Sequence, residues 1–252
     1  MYSFDTDYFE NINSKGKAYL LGFICTDGNL YEREGHQTQL QISVRDYDEE
    51  ILFHFLKSLN SNHPIKISQD KRRSETIMKT ITFVSDKVGQ DLKKLKISIN
   101  KTFSLDYNFI FEHINKDLWP SFLLGIFDGD GNIDYPKDGT ISKAHVRLSG
   151  PVEQLLQIQK ALEKFKIKAT IITDKRKYTK PFGSLECPNT TSKYCLLKLL
   201  YKDDILCLSR KKENAFEIIK RIEDNVTNRK ENIIAVDTWK TIFVEERSEW
   251  RE

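Results

Sequence analysis

The chain repeats itself, and that repetition limits its possible folds more than any other feature. The segment Ala18-Tyr-Leu-Leu-Gly-Phe-Ile-Cys-Thr-Asp-Gly-Asn29 returns as Ser121-Phe-Leu-Leu-Gly-Ile-Phe-Asp-Gly-Asp-Gly-Asn132, an offset of 103 residues from position 18 to position 121. Asp70-Lys-Arg-Arg73 returns as Asp174-Lys-Arg-Lys177, an offset of 104 from position 70 to position 174. Two matches in the same order, at nearly one offset, indicate a tandem duplication.

Each half has the same internal rhythm. Lys17 to Thr26 is apolar and suited to a helix, and Asp27-Gly28-Asn29 reads as a stop signal. From Gln37 to Arg45 the residues alternate: Thr38, Leu40, Ile42 and Val44 face one way, and Gln39, Gln41, Ser43 and Arg45 the other. Asp48 to Leu59 predicts a helix, Ile65 to Ser68 and Thr76 to Val84 two strands, and Asp86 to Leu95 another helix. In the second half, Ala144, Val146 and Leu148 alternate with Lys143, His145, Arg147 and Ser149. Val152 to Phe165 then predicts a helix, Ala169 to Thr173 a strand, and Ser192 to Tyr201 a helix. These spacings divide the chain into a first half at 1–105, a linker at 106–117, a second half at 118–222 and a charged extension at 223–252.

Composition narrows the function classes. A chain of 252 residues can bury a substantial core. Its net charge of +3 is too small to argue for nucleic-acid binding, so a binding surface must come from uneven placement of charge. Met1 to Lys17 lacks the apolar stretch of a secretory signal, and runs such as Tyr19-Leu20-Leu21 are too short to span a bilayer. Cys25, Cys187, Cys195 and Cys207 show no C-x-x-C spacing and read as reduced, buried thiols. The expectation is a soluble intracellular protein.

The repeated segment carries the chemistry. Small residues recur every four positions, at Ala18, Gly22 and Thr26 and at Ser121, Gly125 and Gly129. Such a stripe lets another helix backbone approach closely. Two matching stripes predict that the two helices pack on each other about an approximate twofold axis. Asp27 and Asp130 would then end a parallel pair, side by side. A carboxylate at a helix C-terminus faces the negative end of the macrodipole, an unfavourable placement of roughly 0.3–1 kcal/mol. Divalent cations would offset it, since hard cations favour oxygen ligands. A calcium loop over Asp128, Asp130 and Asn132 fails, because Ile133 stands where the turn needs glycine and Gly139 where it needs glutamate.

Leu20-Leu-Gly-Phe-Ile-Cys-Thr-Asp-Gly28 and Leu123-Leu-Gly-Ile-Phe-Asp-Gly-Asp-Gly131 resemble the two signature helices of single-chain LAGLIDADG homing endonucleases. The resemblance implies an α+β fold of tandem pseudo-twofold αββαββα repeats with saddle-shaped antiparallel sheets. It also implies Mg2+- or Mn2+-dependent cleavage of double-stranded DNA at a long, imperfectly palindromic site. By position, the family's metal-binding acids fall on Asp27 and Asp130, while Cys25 replaces the earlier acidic residue that Asp128 keeps. The family's basic residue near each metal falls on Lys101 and on Lys211, with Arg210 as the neighbouring alternative. Gln39, Gln41, Ser43, Arg45, Lys143, His145, Arg147 and Ser149 become candidates for reading base edges. Lys71, Arg72, Arg73, Lys175, Arg176 and Lys177, on matching turns, become candidates for phosphates. The chain is expected to act as a monomer, free-standing or intron-encoded, without flanking splicing segments. The alternative is a non-catalytic or dual-role binding protein on the same fold, an RNA maturase or a transcriptional regulator.

Overall fold

A computed structural model describes residues 2–69, 76–99, 101–135, 141–175, 180–202 and 206–228. The first signature helix, α1 (Lys15–Asp27), begins where the Ser14 hydroxyl accepts the Lys17 N–H. It passes without a loop into β1 (Gly28–Tyr31). There follow β2 (Gln39–Arg45), α2 (Glu50–Ser58), β3 (Lys66–Gln69), β4 (Ile77–Val84) and α3 (Asp86–Lys94). After α4 (Tyr107–His113), the plan repeats as α5 (Trp119–Asp130), β5 (Gly131–Asp134), β6 (His145–Pro151), α6 (Val152–Glu163), β7 (Thr170–Thr173), β8 (Phe182–Glu186) and α7 (Thr190–Leu200). A long helix, α8 (Ser209–Asn228), closes the described chain. Each half holds a four-stranded antiparallel sheet, ordered β1-β2-β4-β3 in the first and β5-β6-β8-β7 in the second. This is the expected α+β arrangement of two matching sheets.

Several elements differ from the sequence reading. The segments after Asp27 and Asp130 are edge strands, where the residues predict a turn. Each spans four residues and buries one large side chain, Leu30 or Ile133, too short a stretch to show alternation. The strand β8 is hard to see in sequence because its two large apolar residues, Phe182 and Leu185, are three apart and do not alternate. Residues 106–117 are not plain linker: α4 starts there, with the Asp106 carboxylate accepting the Phe109 N–H at 3.1 Å. Lys143 ends a short 3-10 turn, Ile141–Lys143, before the strand begins at His145. At the other end, α8 continues past Ile222.

The core lies where α1 meets α5. Leu20, Leu21, Phe23 and Ile24 and their counterparts Leu123, Leu124, Ile126 and Phe127 are all buried. The small-residue stripes meet as predicted. A Cβ placed on Gly22 would lie 2.1 Å from the Phe122 carbonyl oxygen, and one on Gly125 would lie 2.0 Å from that of Tyr19. Backbone touches backbone at both points, so glycine is required by proximity. Outside this contact, α1 and α3 cover one face of the first sheet, and α5 and α6 one face of the second. All four cysteines are buried and free. Among the described residues, no helix is long and apolar enough to cross a membrane.

Replacing Gly22 or Gly125 with alanine forces the two helices apart. Each change is expected to lower stability by about 1–3 kcal/mol, the usual cost of overpacking, as a drop in the urea midpoint. An unchanged midpoint for both would contradict the contact.

Candidate active site

The glycine contact continues to the ends of both helices and sets the site there. A Cβ on Gly129 would fall 1.9 Å from Thr26 Oγ1 and 2.8 Å from Asp27 Oδ2, so the Asp27 carboxylate lies against the last turn of α5. Asp130 is the final residue of that same turn. Gly28 and Gly131 then let the chain leave each helix directly into a strand. Their backbones are extended (φ −72°, ψ 143° and φ −81°, ψ 154°), not left-handed. Glycine is needed because a side chain would strike the previous turn: a Cβ on Gly28 would lie 2.6 Å from the Ile24 oxygen, and one on Gly131 2.3 Å from that of Phe127.

Two carboxylates held this way resist ionisation. Burial, reinforced by the Asp130 charge, pushes the Asp27 carboxyl up to about 7, against the pull of Lys211 and Lys101. Burial also raises Asp130, again opposed by Lys101 and Lys211. Both side chains are open to solvent on their outer side, and water there tempers the cost of burial. What remains is the direction, upward for both.

The two expected lysines converge on this point from separate parts of the chain. Lys101 Nζ donates to the Thr26 carbonyl at 2.8 Å, at the C-terminus of α1. Lys211, almost fully buried, donates to the carbonyls of Phe127 (2.9 Å), Asp128 (2.6 Å) and Gly131 (2.7 Å) at the C-terminus of α5. An ammonium has three protons, and Lys211 places all three on backbone. Each lysine therefore adds a donor to carbonyls at a helix end and opposes the negative end of the macrodipole. Burial lowers both ammonium groups, Lys211 to about 8, although nearby carboxylates raise them in part. Arg210 turns away and makes a bidentate pair with Asp48, at 2.6 and 2.7 Å.

Asp128, two residues before Asp130, has a separate task. It is buried and accepts hydrogen bonds from Tyr201 Oη (2.7 Å), Tyr19 Oη (2.9 Å) and the Leu208 N–H (2.8 Å). Burial raises its carboxyl to about 6, while Lys211 and these donors pull it down. It thereby joins α1, the end of α7 and the approach to α8. In the first half that position is Cys25, whose buried thiol is pushed up to about 12 and stays neutral.

The sheets leave one face open in each half. Along β2, Gln39 and Arg45 are exposed, and Gln41 and Ser43 half-buried, while Leu40, Ile42 and Val44 point into the core. Ser43 Oγ pairs with Thr80 Oγ1 at 2.8 Å, and Arg45 donates to the Tyr47 hydroxyl at 3.2 Å. Along β6, His145 and Ser149 are exposed and Arg147 is half-buried. Lys143 is exposed in its turn, and Lys175 is exposed beyond the end of β7. Lys71, Arg72, Arg73, Arg176 and Lys177 lie outside the described residues. Register adds residues that the sequence reading passed over: Asn29 and Tyr31 oppose Gln41 and Gln39, Asp134 opposes His145, and Glu186 opposes Arg147. The edge strands that carry Asn29, Tyr31 and Asp134 are too short for alternation to reveal their outward faces.

Residues 120–199 match the family model described as a LAGLIDADG-like domain. The homing endonuclease I-WcaI, solved bound to its DNA recognition sequence, superposes with a TM-score of 0.58 at 16% identity, over 83% of this chain and 90% of that one. I-DmoI, solved in complex with DNA and Ca, superposes with a TM-score of 0.52 at 14% identity, over 83% and 97%. The fold is that of a two-repeat LAGLIDADG protein. Full-length DUF199/WhiA from Thermatoga maritima shares this LAGLIDADG fold, with a TM-score of 0.51 at 18% identity over 94% of this chain and 72% of that one. No curated protein matches the chain in sequence.

The site's charge strain has a measurable consequence for stability. Folding raises the Asp27 carboxyl above its ordinary value of 3.8. A group raised on folding contributes stability fully below its unfolded value and loses it as pH rises through the folded value. Asp27→Asn is therefore expected to raise the melting temperature at pH 8 in the presence of a chelator, with the gain vanishing by pH 4. A lower melting temperature for the variant at pH 8 would contradict the strain.

Proposed function

We propose that the chain is a site-specific double-strand DNA endonuclease that uses divalent metal. The observation carrying this reading is the pair of terminal aspartates, brought together by the α1–α5 contact and flanked by one lysine from each half. The fold alone does not dictate this activity, because function resides in the site.

The donors fit a hard divalent cation. Asp27 and Asp130 supply oxygen ligands at the unfavourable ends of two helices, and burial, which raises both carboxyls, disfavours the charged forms that a bound cation would stabilise. Among the described residues no group of three or more His, Cys, Asp or Glu gathers to cage a metal. An open site of this kind suits Mg2+ or Mn2+, whose remaining positions are taken by water and phosphate oxygens. When bound, such a metal favours the attacking oxygen and stabilises the leaving one in phosphodiester hydrolysis. The chain's own residues then orient and balance charge. Asp27 and Asp130 hold their carboxylates at the junction of the halves. Lys211 acts through its charge from behind Asp130, since its three protons are already engaged. Lys101 makes one hydrogen bond to Thr26 and is the better placed of the two to order a phosphate oxygen or the attacking water.

DNA binding falls to the open sheet faces. Gln39, Gln41 and Arg45 in the first half, and His145, Arg147 and Ser149 in the second, offer groups that hydrogen-bond base edges. We assign residues 1–105 to one half-site and 118–222 to the other. Because the two faces differ in sequence, the preferred target is an imperfect palindrome. One chain supplies both halves, so a monomer suffices.

Asp27→Asn and Asp130→Asn are each expected to reduce double-strand cleavage to background while leaving site-specific binding within a few-fold of the parent. The target site comes first, by selecting cleaved molecules from a randomised duplex library with Mg2+. Full cutting by either variant would remove the catalytic assignment. DNA or RNA that is bound specifically and never cut would favour the alternative, a regulator or maturase on this fold.

A further inference from the structure

The residues next to Lys211 and Lys101 in the chain are bound by side chains from the opposite half of the molecule. Lys211 is the third residue of α8, and its place depends on how that helix starts. Two first-half acids fix the start. Glu50, the first residue of α2, accepts from the Ser209 N–H and from Ser209 Oγ, both at 2.6 Å. Asp48, just before α2, takes the bidentate pair from Arg210. The guanidinium of Arg210 also lies 5.1 Å from the centre of the Tyr47 ring, which adds a third first-half contact. Glu50 thus places a carboxylate at a helix N-terminus, where a negative charge is favourable.

The second half returns the arrangement. Gln154, in the first turn of α6, is buried and donates to the Thr102 carbonyl at 2.9 Å, next to Lys101. Gln157, one turn on, accepts from the Tyr107 N–H at 2.6 Å. The two helices that provide these groups, α2 and α6, occupy equivalent places in the repeat.

We propose that Asp48 and Glu50 are positioning residues for Lys211 and that Gln154 is a positioning residue for Lys101, so that each half sets the basic residue of the other half's catalytic centre. The inference rests on the nuclease reading above. A duplex has its own twofold axis, and its two strands run antiparallel through the centre. Each lysine therefore serves one strand, and disturbing one clamp affects one cut. None of these three residues is placed against substrate.

The test compares the two strand cuts within one protein. A supercoiled plasmid and an end-labelled duplex, both carrying the selected site, are cleaved with Mg2+ by the parent chain, by Asp48→Asn/Glu50→Gln and by Gln154→Ala. Displacing a positioned group by about 1 Å costs on the order of 100-fold. The acid variant is expected to slow one strand by roughly 10- to 100-fold, leaving the other near parental rate, so that nicked circles accumulate. Gln154→Ala is expected to slow the opposite strand. Melting temperature and specific binding in Ca2+ should stay close to parental for both. Equal slowing of the two strands, the same strand slowed by both variants, or no slowing at all would overturn the proposal. A parent chain that cuts neither strand would instead overturn the nuclease reading, and the positioning role with it.

Discussion

The close approach of α1 and α5 is the constraint on which the remaining structure depends. Where Gly22 meets the Phe122 carbonyl and Gly125 meets that of Tyr19, no side chain separates the two backbones. Helices that touch this closely bring their ends together as well. Asp27 and Asp130 are neighbours for that reason, and the two sheets start beside them because β1 and β5 follow without a loop. Core packing and the assembly of the aspartate pair are one event in this molecule.

That arrangement carries a local electrostatic cost. Two carboxylates stand at the negative ends of two dipoles, and protein crowds both from behind. Lys101 and Lys211 offset part of it by donating to carbonyls at the same helix ends. The lysines lose hydration in doing so, which lowers their own affinity for protons. The outcome is a centre with charge strain on both sides, a condition met often at functional sites.

The duplication has not kept the halves identical. Asp128 ties three elements together through Tyr19, Tyr201 and Leu208, where the first half has only the neutral Cys25. Lys211 has three backbone partners and Lys101 has one. On the sheets, Arg147 and His145 face Glu186 and Asp134 across the strands, while Gln41 and Gln39 face Asn29 and Tyr31. The second sheet thus sets Arg147 and His145 opposite acidic residues, and the first presents amides and an aromatic ring. Two faces so different present different donors and acceptors to whatever they contact.

The residues alone determined the duplication, the helix pairing, and the neighbouring placement of Asp27 and Asp130. Each follows from a local pattern: a repeated string, glycine every four positions, and an acid at a helix end. Alternation likewise identified β2 and the core-facing side of β6. The short edge strands, β8, α4 and the length of α8 were not legible, because each has too few large apolar residues, or too little period, to stand out. Only the tertiary structure decided that Lys211, and not Arg210, caps α5, that Asp128 is a buried junction, and that α2 and α6 each reach across to the other half. Those outcomes depend on pairs such as Asp48 with Arg210 and Glu50 with Ser209, separated by 162 and 159 residues. Contacts at that separation leave no periodic trace in the chain, since what selects them is the path of the backbone around the α1–α5 axis.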